Sequence, residues 1–159
     1  MTFEVPEEVR GVTEALRTAG FEAYLVGGCV RDALIGRTPK DWDVTTNATP
    51  EEIQALFPDS YYTNDFGTVG VLRETENESH KIIEVTPYRT ESEYSDKRRP
   101  DAVTFGQNLE EDLARRDFTV NAIAYDESKG QIIDPYKGQN DLSLKVLRTV
   151  GIPEERFEE

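Results

Sequence analysis

Cysteine and histidine are almost absent from this sequence of 159 residues, which contains one of each, Cys29 and His80. A single cysteine excludes an internal disulfide and a zinc site built from several cysteines, and a single histidine excludes a histidine-rich metal centre. No apolar run approaches the roughly 18 residues that a transmembrane helix needs. Residues 1–10 also lack the apolar core of a signal peptide. These absences predict a cytoplasmic protein that does not enter a membrane.

Basic residues are scarce as well. The chain has 18 Lys and Arg against 32 Asp and Glu, which gives a formal net charge of −14. A protein of this charge repels nucleic acid as a whole. Any chemistry on phosphate groups therefore depends on local basic clusters, on divalent metals or on a partner. Hydrophobic residues make up only 36% of the chain, but seven Phe, seven Tyr and one Trp are enough for the core of one domain.

Hydrophobic periodicity and turn residues predict the order of the elements. Helices are predicted at residues 6–19, 29–35, 49–57, 109–125 and 142–150. Strands are predicted at residues 21–26, 41–45, 66–72, 81–89 and 131–134. The helix at 49–57 has a clear start, because Thr49 is a capping residue, Pro50 follows it and Glu52 completes a capping box. Residues 90–100 are predicted to form a mobile loop. The pattern favours an α+β fold in which helices pack on a mixed sheet.

Two aspartates on a predicted strand are the first candidate site. Asp41 and Asp43 are two positions apart, so both carboxylates point to one face, and Trp42 points to the other face and into the core. Paired carboxylates repel each other unless a cation lies between them, and Mg²⁺ prefers oxygen ligands of this kind. Two such ions would suit phosphoryl transfer. An exposed strand face remains the alternative.

A glycine turn next to a helix is the second candidate site. Gly27 and Gly28 follow a predicted strand and precede a short helix, whose first turn contains Arg31. Glycine lets the backbone approach a phosphate closely, and a helix N-terminus offers free N–H groups. The pattern is neither the dinucleotide fingerprint nor a Walker loop. A plain turn remains the alternative.

A glutamate on another predicted strand is the third candidate. Glu84 alternates with the apolar Ile83 and Val85, so it faces away from them. If its strand lies beside that of the two aspartates, Glu84 is a further metal ligand or a base for an attacking hydroxyl. An exposed strand glutamate is the alternative.

The long predicted helix carries the fourth candidate group. Asp117 and Asn121 are four residues apart and would share a helix face, with Arg116 beside it. Arginine suits phosphate oxygens, and Asp and Asn suit sugar hydroxyls. The acids of the same helix, among them Asp112, offer the alternative that intrahelical pairing occupies Arg115 and Arg116.

Six segments occur in an order that is typical of one family. They are residues 25–36, 40–46, 66–71, 83–89, 113–126 and 132–142. Together they resemble the N-terminal head of class II tRNA nucleotidyltransferases, the family of CCA-adding enzymes and bacterial poly(A) polymerases. The resemblance implies a polymerase β-like head with a five-stranded mixed sheet and flanking helices. It implies Mg²⁺-dependent transfer of C or A residues from CTP and ATP to the 3′ end of tRNA.

The resemblance also assigns roles to the candidate residues. Asp41 and Asp43 match the metal-binding aspartates, and Glu84 matches the third carboxylate. The triphosphate-binding turn of the family is matched by Gly27, Gly28 and Arg31. The motif that contacts the ribose and phosphates of the incoming nucleotide is matched by Arg116, Asp117 and Asn121. Residues 90–100 resemble the flexible loop that helps members of the family to switch from C to A addition.

The same comparison predicts the domain organisation. Residues 1–140 correspond to the catalytic head, and residues 141–159 to the start of the neck. The helix that selects C or A in the family would follow Glu159, so the printed chain is expected to act as a catalytic head alone, with tRNA held mostly by other domains. Poly(A) polymerase, partial CC or A addition, and a non-catalytic nucleotide-binding module remain alternatives.

Overall fold

A computed structural model describes residues 3–63, 67–89 and 108–151 of the chain. The α-helices in these ranges are α1 (Glu7–Thr18), α2 (Gly28–Leu34), α3 (Pro50–Leu56), α4 (Leu109–Ala114) and α5 (Gly138–Leu144). The strands are β1 (Ala23–Val26), β2 (Trp42–Thr46), β3 (Ser60–Tyr62), β4 (Val69–Leu72), β5 (Ile82–Pro87), β6 (Ala124–Asp126) and β7 (Gln131–Ile133). Short 3₁₀ helices form at Glu78–His80 and Thr119–Asn121. Among the described residues, no helix has the length and apolar character needed to cross a bilayer.

The strands form one mixed sheet in the order β3-β4-β5-β2-β1-β6-β7. The central pair, β2 and β5, is parallel, and the other neighbours are antiparallel. The mixed α+β architecture is therefore confirmed, but the predicted number of five strands is wrong, because the sheet has seven. All five predicted strands are present. The two additional ones, β3 and β6, are three residues long, and so short a segment carries little periodicity.

The main core lies between one face of the sheet and the helices packed on it. Trp42 and Val44 of β2 and Ile83 and Val85 of β5 are buried in it, as the alternation predicts. Helix α1 adds Val9, Val12 and Leu16, all fully buried. A smaller cluster covers part of the other face and contains Val26, Tyr88, Leu109, Leu113 and Ala124. The functional side chains lie on this second face, beside the smaller cluster.

The predicted capping box of α3 is confirmed. The Glu52 N–H donates to Thr49 Oγ1 at 3.2 Å, and the Thr49 N–H donates to Glu52 Oε1 at 2.9 Å. Pro50 occupies the first turn, where its missing N–H is not needed. The local sequence is sufficient to begin this helix.

The predicted helix at residues 109–125 is wrong beyond its first turns. Helix α4 ends at Ala114, and the chain then forms a 3₁₀ turn and strand β6. Strand β6 pairs with β1, with Leu25 opposite Tyr125 and Val26 opposite Ala124. Pairing with an existing strand satisfies the backbone groups of these residues, and the mainly apolar segment does not distinguish a buried strand from a helix.

The predicted helix at residues 142–150 is also wrong. Helix α5 begins earlier and ends at Leu144, and the next residue, Lys145, has a left-handed backbone with φ 57°. The following residues return to the segment before β6, where the Val150 N–H donates to the Asp117 carbonyl at 2.9 Å. Thr119 Oγ1 donates to the buried Asp141 carboxylate at 2.6 Å. The boundary at residue 140 stays a prediction, and the loop prediction for residues 90–100 lies outside the described residues.

Candidate active site

A pair of carboxyl groups lies at the centre of the sheet. Asp43 of β2 and Glu84 of β5 are partners in the parallel register, so their side chains are neighbours on the same face. Glu84 therefore lies against the carboxyl group of Asp43. Burial raises the pKa of Asp43 to about 7, and the hydrogen bond and negative charge of Glu84 add to that increase. Two strands far apart in the chain thus form one acidic site.

Asp41 takes a different position from the one predicted. Strand β2 begins at Trp42, so Asp41 lies just before the strand and is exposed. Its negative charge still contributes to the raised pKa of Asp43, behind the larger effects of burial and Glu84. Within residues 3–63, 67–89 and 108–151, no group of three Asp, Glu, His or Cys side chains is arranged to hold a metal ion. The metal site of Asp41 and Asp43 stays a prediction, as does the role of Glu84.

The glycine turn lies beside this acidic pair. Leu25 of β1 is opposite Val44 of β2, so the register puts Gly27 just beyond the position opposite Asp43. Gly27 has φ 78° and directly precedes α2. A Cβ at Gly27 would lie 3.3 Å from Nη1 of Arg116, and one at Gly28 would lie 3.3 Å from Nη2 of Arg31. Both glycines therefore allow a guanidinium group to approach the turn closely.

Arg31 and Asn121 meet next to the turn. Nη1 of Arg31 donates to Oδ1 of Asn121 at 2.9 Å, and Arg31 also pairs with Asp32 at 3.1 Å. Asn121 reaches this position from the 3₁₀ helix before β6, not from a long helix. The structure thus brings together two predicted site residues that are 90 positions apart in the chain.

Arg116 is held by the buried carboxylate of Asp112, which the sequence analysis considered as its alternative ion-pair partner. Asp112 of α4 is fully buried and accepts a hydrogen bond from Nη2 of Arg116 at 3.0 Å. The same carboxylate accepts from Nη2 of Arg115 at 3.1 Å and from the backbone N–H of Arg89 at 3.3 Å. Spacings of three and four residues on a helix signal such pairs.

The arginines lower the pKa values of the carboxyl groups around them. Burial by itself would raise the pKa of the Asp112 carboxyl, but the charges and hydrogen bonds of Arg116 and Arg115 outweigh it and hold that pKa below its usual value. Arg116 also lowers the pKa of Asp43. Its Nε–H is buried and has no hydrogen-bond partner among the described residues. Arg116 therefore keeps a donor unused beside the acidic pair.

Asp117 does not join the group. Its carboxylate accepts a hydrogen bond from the N–H of the next residue, Phe118, at 2.7 Å, and its side chain is exposed. Because α4 ends at Ala114, Asp117 and Asn121 do not share a helix face. The prediction that they form one surface is wrong. The role of Asp117 at the ribose stays a prediction.

The chain is similar in sequence to proteins named as CCA-adding enzymes. The CCA-adding enzyme of Geobacillus kaustophilus is 49% identical over 96% of this chain and 37% of that protein. The enzyme of Lactobacillus helveticus is 53% identical over 93% of this chain and 36% of that protein. The chain therefore spans a little over a third of the length of these relatives.

The fold is also similar to solved structures of tRNA nucleotidyltransferases. The crystal structure of the Bacillus stearothermophilus CCA-adding enzyme in complex with CTP has a TM-score of 0.82 and 43% identity, over 96% of this chain and 35% of that one. A tRNA nucleotidyltransferase complexed with a primer tRNA and an incoming ATP analog has a TM-score of 0.67 and 29% identity, over 93% of this chain and 41% of that one. The family model described as the poly A polymerase head domain matches residues 23–148. The chain therefore belongs to the poly A polymerase head domain family.

Proposed function

We propose that the chain is the catalytic head of a template-independent RNA nucleotidyltransferase, which adds C or A residues from CTP and ATP to the 3′ end of tRNA. One observation carries this proposal: the Asp43–Glu84 carboxyl pair lies beside a glycine turn that two guanidinium groups approach. Acidic groups that bind metal and basic groups that bind phosphate are both needed for phosphoryl transfer. The relatives named as CCA-adding enzymes support the same reaction.

The acidic pair fits Mg²⁺ as a donor set. Asp43 and Glu84 supply carboxylate oxygens from neighbouring strands, and a cation would offset the charge repulsion that helps to raise the pKa of Asp43. Asp41, exposed at the start of β2, would complete the set. When bound, the metal lowers the pKa of the attacking 3′ hydroxyl and neutralises phosphate charge. Our proposal assigns the metal to Asp41 and Asp43, with Glu84 as the third carboxylate.

The remaining residues act on the nucleotide. Arg31 and Arg116 bind triphosphate oxygens, and the bare backbone of Gly27 and Gly28 lets the triphosphate lie close to the turn. Asn121 fixes the orientation of Arg31 through its hydrogen bond. Asp117, which is exposed and directly follows Arg116, is assigned to the ribose. These groups position the reactants and offset charge, which supplies most of the catalysis in phosphoryl transfer.

Labelled CTP and ATP, offered separately with a tRNA that lacks its 3′ CCA, test the proposal. We expect incorporation that needs Mg²⁺, and its loss by about 100-fold or more in the Asp41→Ala variant with the fold intact. Asp59→Ala is the matched control, since Asp59 is also an exposed aspartate just before a strand. Near-normal turnover in Asp41→Ala would contradict the metal assignment.

The same assay separates the alternatives. Incorporation of ATP alone in long runs indicates a poly(A) polymerase, and CTP alone indicates partial CC addition. Nucleotide binding without Mg²⁺ and without incorporation indicates a non-catalytic module. For residues 1–159 assayed by themselves we expect weak or unselective addition. A cytoplasmic location remains part of the proposal.

A further inference from the structure

One exposed tyrosine shares a row of the sheet with the acidic pair. Asp43 is opposite Glu84, Glu84 is opposite Gly70, and Gly70 is opposite Tyr61. Residues that are opposite each other on neighbouring strands point to the same face. The row therefore runs across β2, β5, β4 and β3 on the face of the candidate site. Tyr61 is 41% exposed at the end of this row.

Glycine at position 70 lets the tyrosine ring lie over β4. A Cβ built at Gly70 would be 2.9 Å from Cζ of Tyr61 and 3.1 Å from its Cε1. The far end of the ring thus occupies the space where a side chain of β4 would stand. The ring therefore covers Gly70, which is the neighbour of Glu84 in the row.

The two sides of the acidic pair differ in charge and character. On the β1 side are the glycine turn and the guanidinium groups of Arg31 and Arg116, which suit a triphosphate. On the β4 side are Gly70, the methyl group of Thr63 and the ring of Tyr61, which carry no charge. In phosphoryl transfer the attacking oxygen and the leaving pyrophosphate lie roughly in line, on opposite sides of the reacting phosphorus. If the triphosphate lies on the β1 side, the attacking 3′ hydroxyl enters from the β4 side.

We propose that Tyr61 and Gly70 form a subsite for the terminal nucleotide of the RNA acceptor, with the base of that nucleotide stacked on the exposed part of the Tyr61 ring. This inference rests on the proposed function and adds the side from which the acceptor enters. Stacking of a base on an aromatic ring tolerates any base and needs no positive charge. Such a subsite suits a chain whose net charge is −14.

The KM values for RNA and nucleotide, measured separately, test the subsite. We expect Tyr61→Ala to raise the KM for the tRNA acceptor about tenfold and to leave the KM for CTP unchanged. Tyr61→Phe keeps the ring and should stay close to the wild type. Tyr62→Ala is the matched control, because Tyr62 is the next residue of β3, is 48% exposed and faces the other way. A higher KM for CTP alone, or equal effects in both alanine variants, would overturn the subsite.

Substitution of the glycine supplies an independent check. Gly70→Ala forces the ring away from β4, so it should raise the KM for RNA as Tyr61→Ala does. When Tyr61 is already alanine, the added methyl group meets only the methyl group of Thr63, at 3.1 Å, and Gly70→Ala should then have a much smaller further effect. Additive effects of the two substitutions would show that the ring over Gly70 does not contribute to the acceptor site.

A binding measurement distinguishes failure of the subsite from failure of the proposed reaction. Anisotropy of a fluorescent RNA ending in CC is recorded with the wild type and with Tyr61→Ala, without nucleotide. Binding that weakens in Tyr61→Ala, in a protein that incorporates nothing, retains the subsite and rejects the reaction. Incorporation with RNA binding independent of Tyr61 retains the reaction and rejects the subsite. Absence of both binding and incorporation rejects both.

Discussion

At the scale of single residues, Asp43 is the most unusual group of the protein. Burial and the neighbouring Glu84 raise the pKa of its carboxyl group, and Arg116 lowers it, with a resulting pKa of about 7. A carboxyl that holds a proton at neutral pH is poised to exchange that proton for a cation. The same carboxyl makes the folded state sensitive to pH, because in an unfolded chain it ionises near its ordinary pKa.

The sign of this dependence follows from the direction of the shift. A raised pKa in the folded state stabilises the fold at pH values below about 4, and this stability is lost as the pH rises through about 7. Asp43→Asn removes the titration. We expect this variant to gain about 3–4 kcal/mol relative to the wild type between pH 4 and pH 7.5, measured by urea unfolding at each pH.

Magnesium should act in the opposite direction. At pH 7.5 a bound divalent cation stabilises the ionised pair, so Mg²⁺ should raise the melting temperature of the wild type but not that of Asp43→Asn. A difference in stability between the two proteins that stays constant with pH would contradict the raised pKa of Asp43.

At the scale of elements, helix α4 and its C-terminal residues connect three parts of the site. The carboxylate of Asp112 holds Arg115 and Arg116 and accepts a hydrogen bond from the N–H of Arg89, at the end of β5. Arg116 in turn lies close to Gly27. The short helix therefore fixes the position of a guanidinium group relative to two strands.

Substitution of Asp112 tests this connection. Asp112→Asn keeps the shape of the side chain but removes its charge. We expect it to lower the free energy of unfolding by about 1–3 kcal/mol, measured with urea, because the buried hydrogen bonds to the two arginines lose their ionised acceptor. The KM for CTP should also rise as Arg116 becomes less well oriented. Glu110→Gln is the control, since Glu110 lies exposed on the same helix. Equal stability and KM in the two variants would refute the role of Asp112.

The elements also show the limit of local pattern. Residues 49–57 contain their own start and stop signals, and the helix formed as expected. Residues 109–125 contain no proline or glycine, so their apolar pattern predicts one uninterrupted helix. The segment instead divides into α4, a 3₁₀ turn and β6, since β1 offers backbone partners at a distance of about 100 positions in the chain. Local sequence carries no information about such a partner.

At the scale of the whole molecule, the net charge of −14 is the dominant property. Like charges on one compact body repel each other, and salt screens this repulsion. An increase of KCl from about 0.1 M to about 1 M shortens the Debye length from about 10 Å to about 3 Å. We therefore expect the melting temperature of the wild type to rise by several degrees over this range.

A charge-reduced variant provides the comparison for this prediction. Replacement of the four glutamates Glu154, Glu155, Glu158 and Glu159 by glutamine lowers the net charge to about −10 and should reduce the response to salt. Calorimetry at both KCl concentrations measures the effect. A melting temperature that falls with salt in the wild type would show that attractive ion pairs, rather than overall repulsion, dominate its electrostatics.

The sequence by itself determined which groups this protein offers: two aspartates two positions apart, the glycine turn, Glu84 on an alternating strand, and two adjacent arginines. It determined them because strand alternation, helix capping and the conformational freedom of glycine are local properties of the chain. Only the tertiary structure decided which groups meet. The pairing of β2 with β5 joined Asp43 to Glu84, the pairing of β6 with β1 placed Asn121 beside Arg31, and the position of Gly70 directed Tyr61 to the same row. Each contact depends on backbone hydrogen bonds between segments remote in sequence, and those partners are chosen by the fold as a whole.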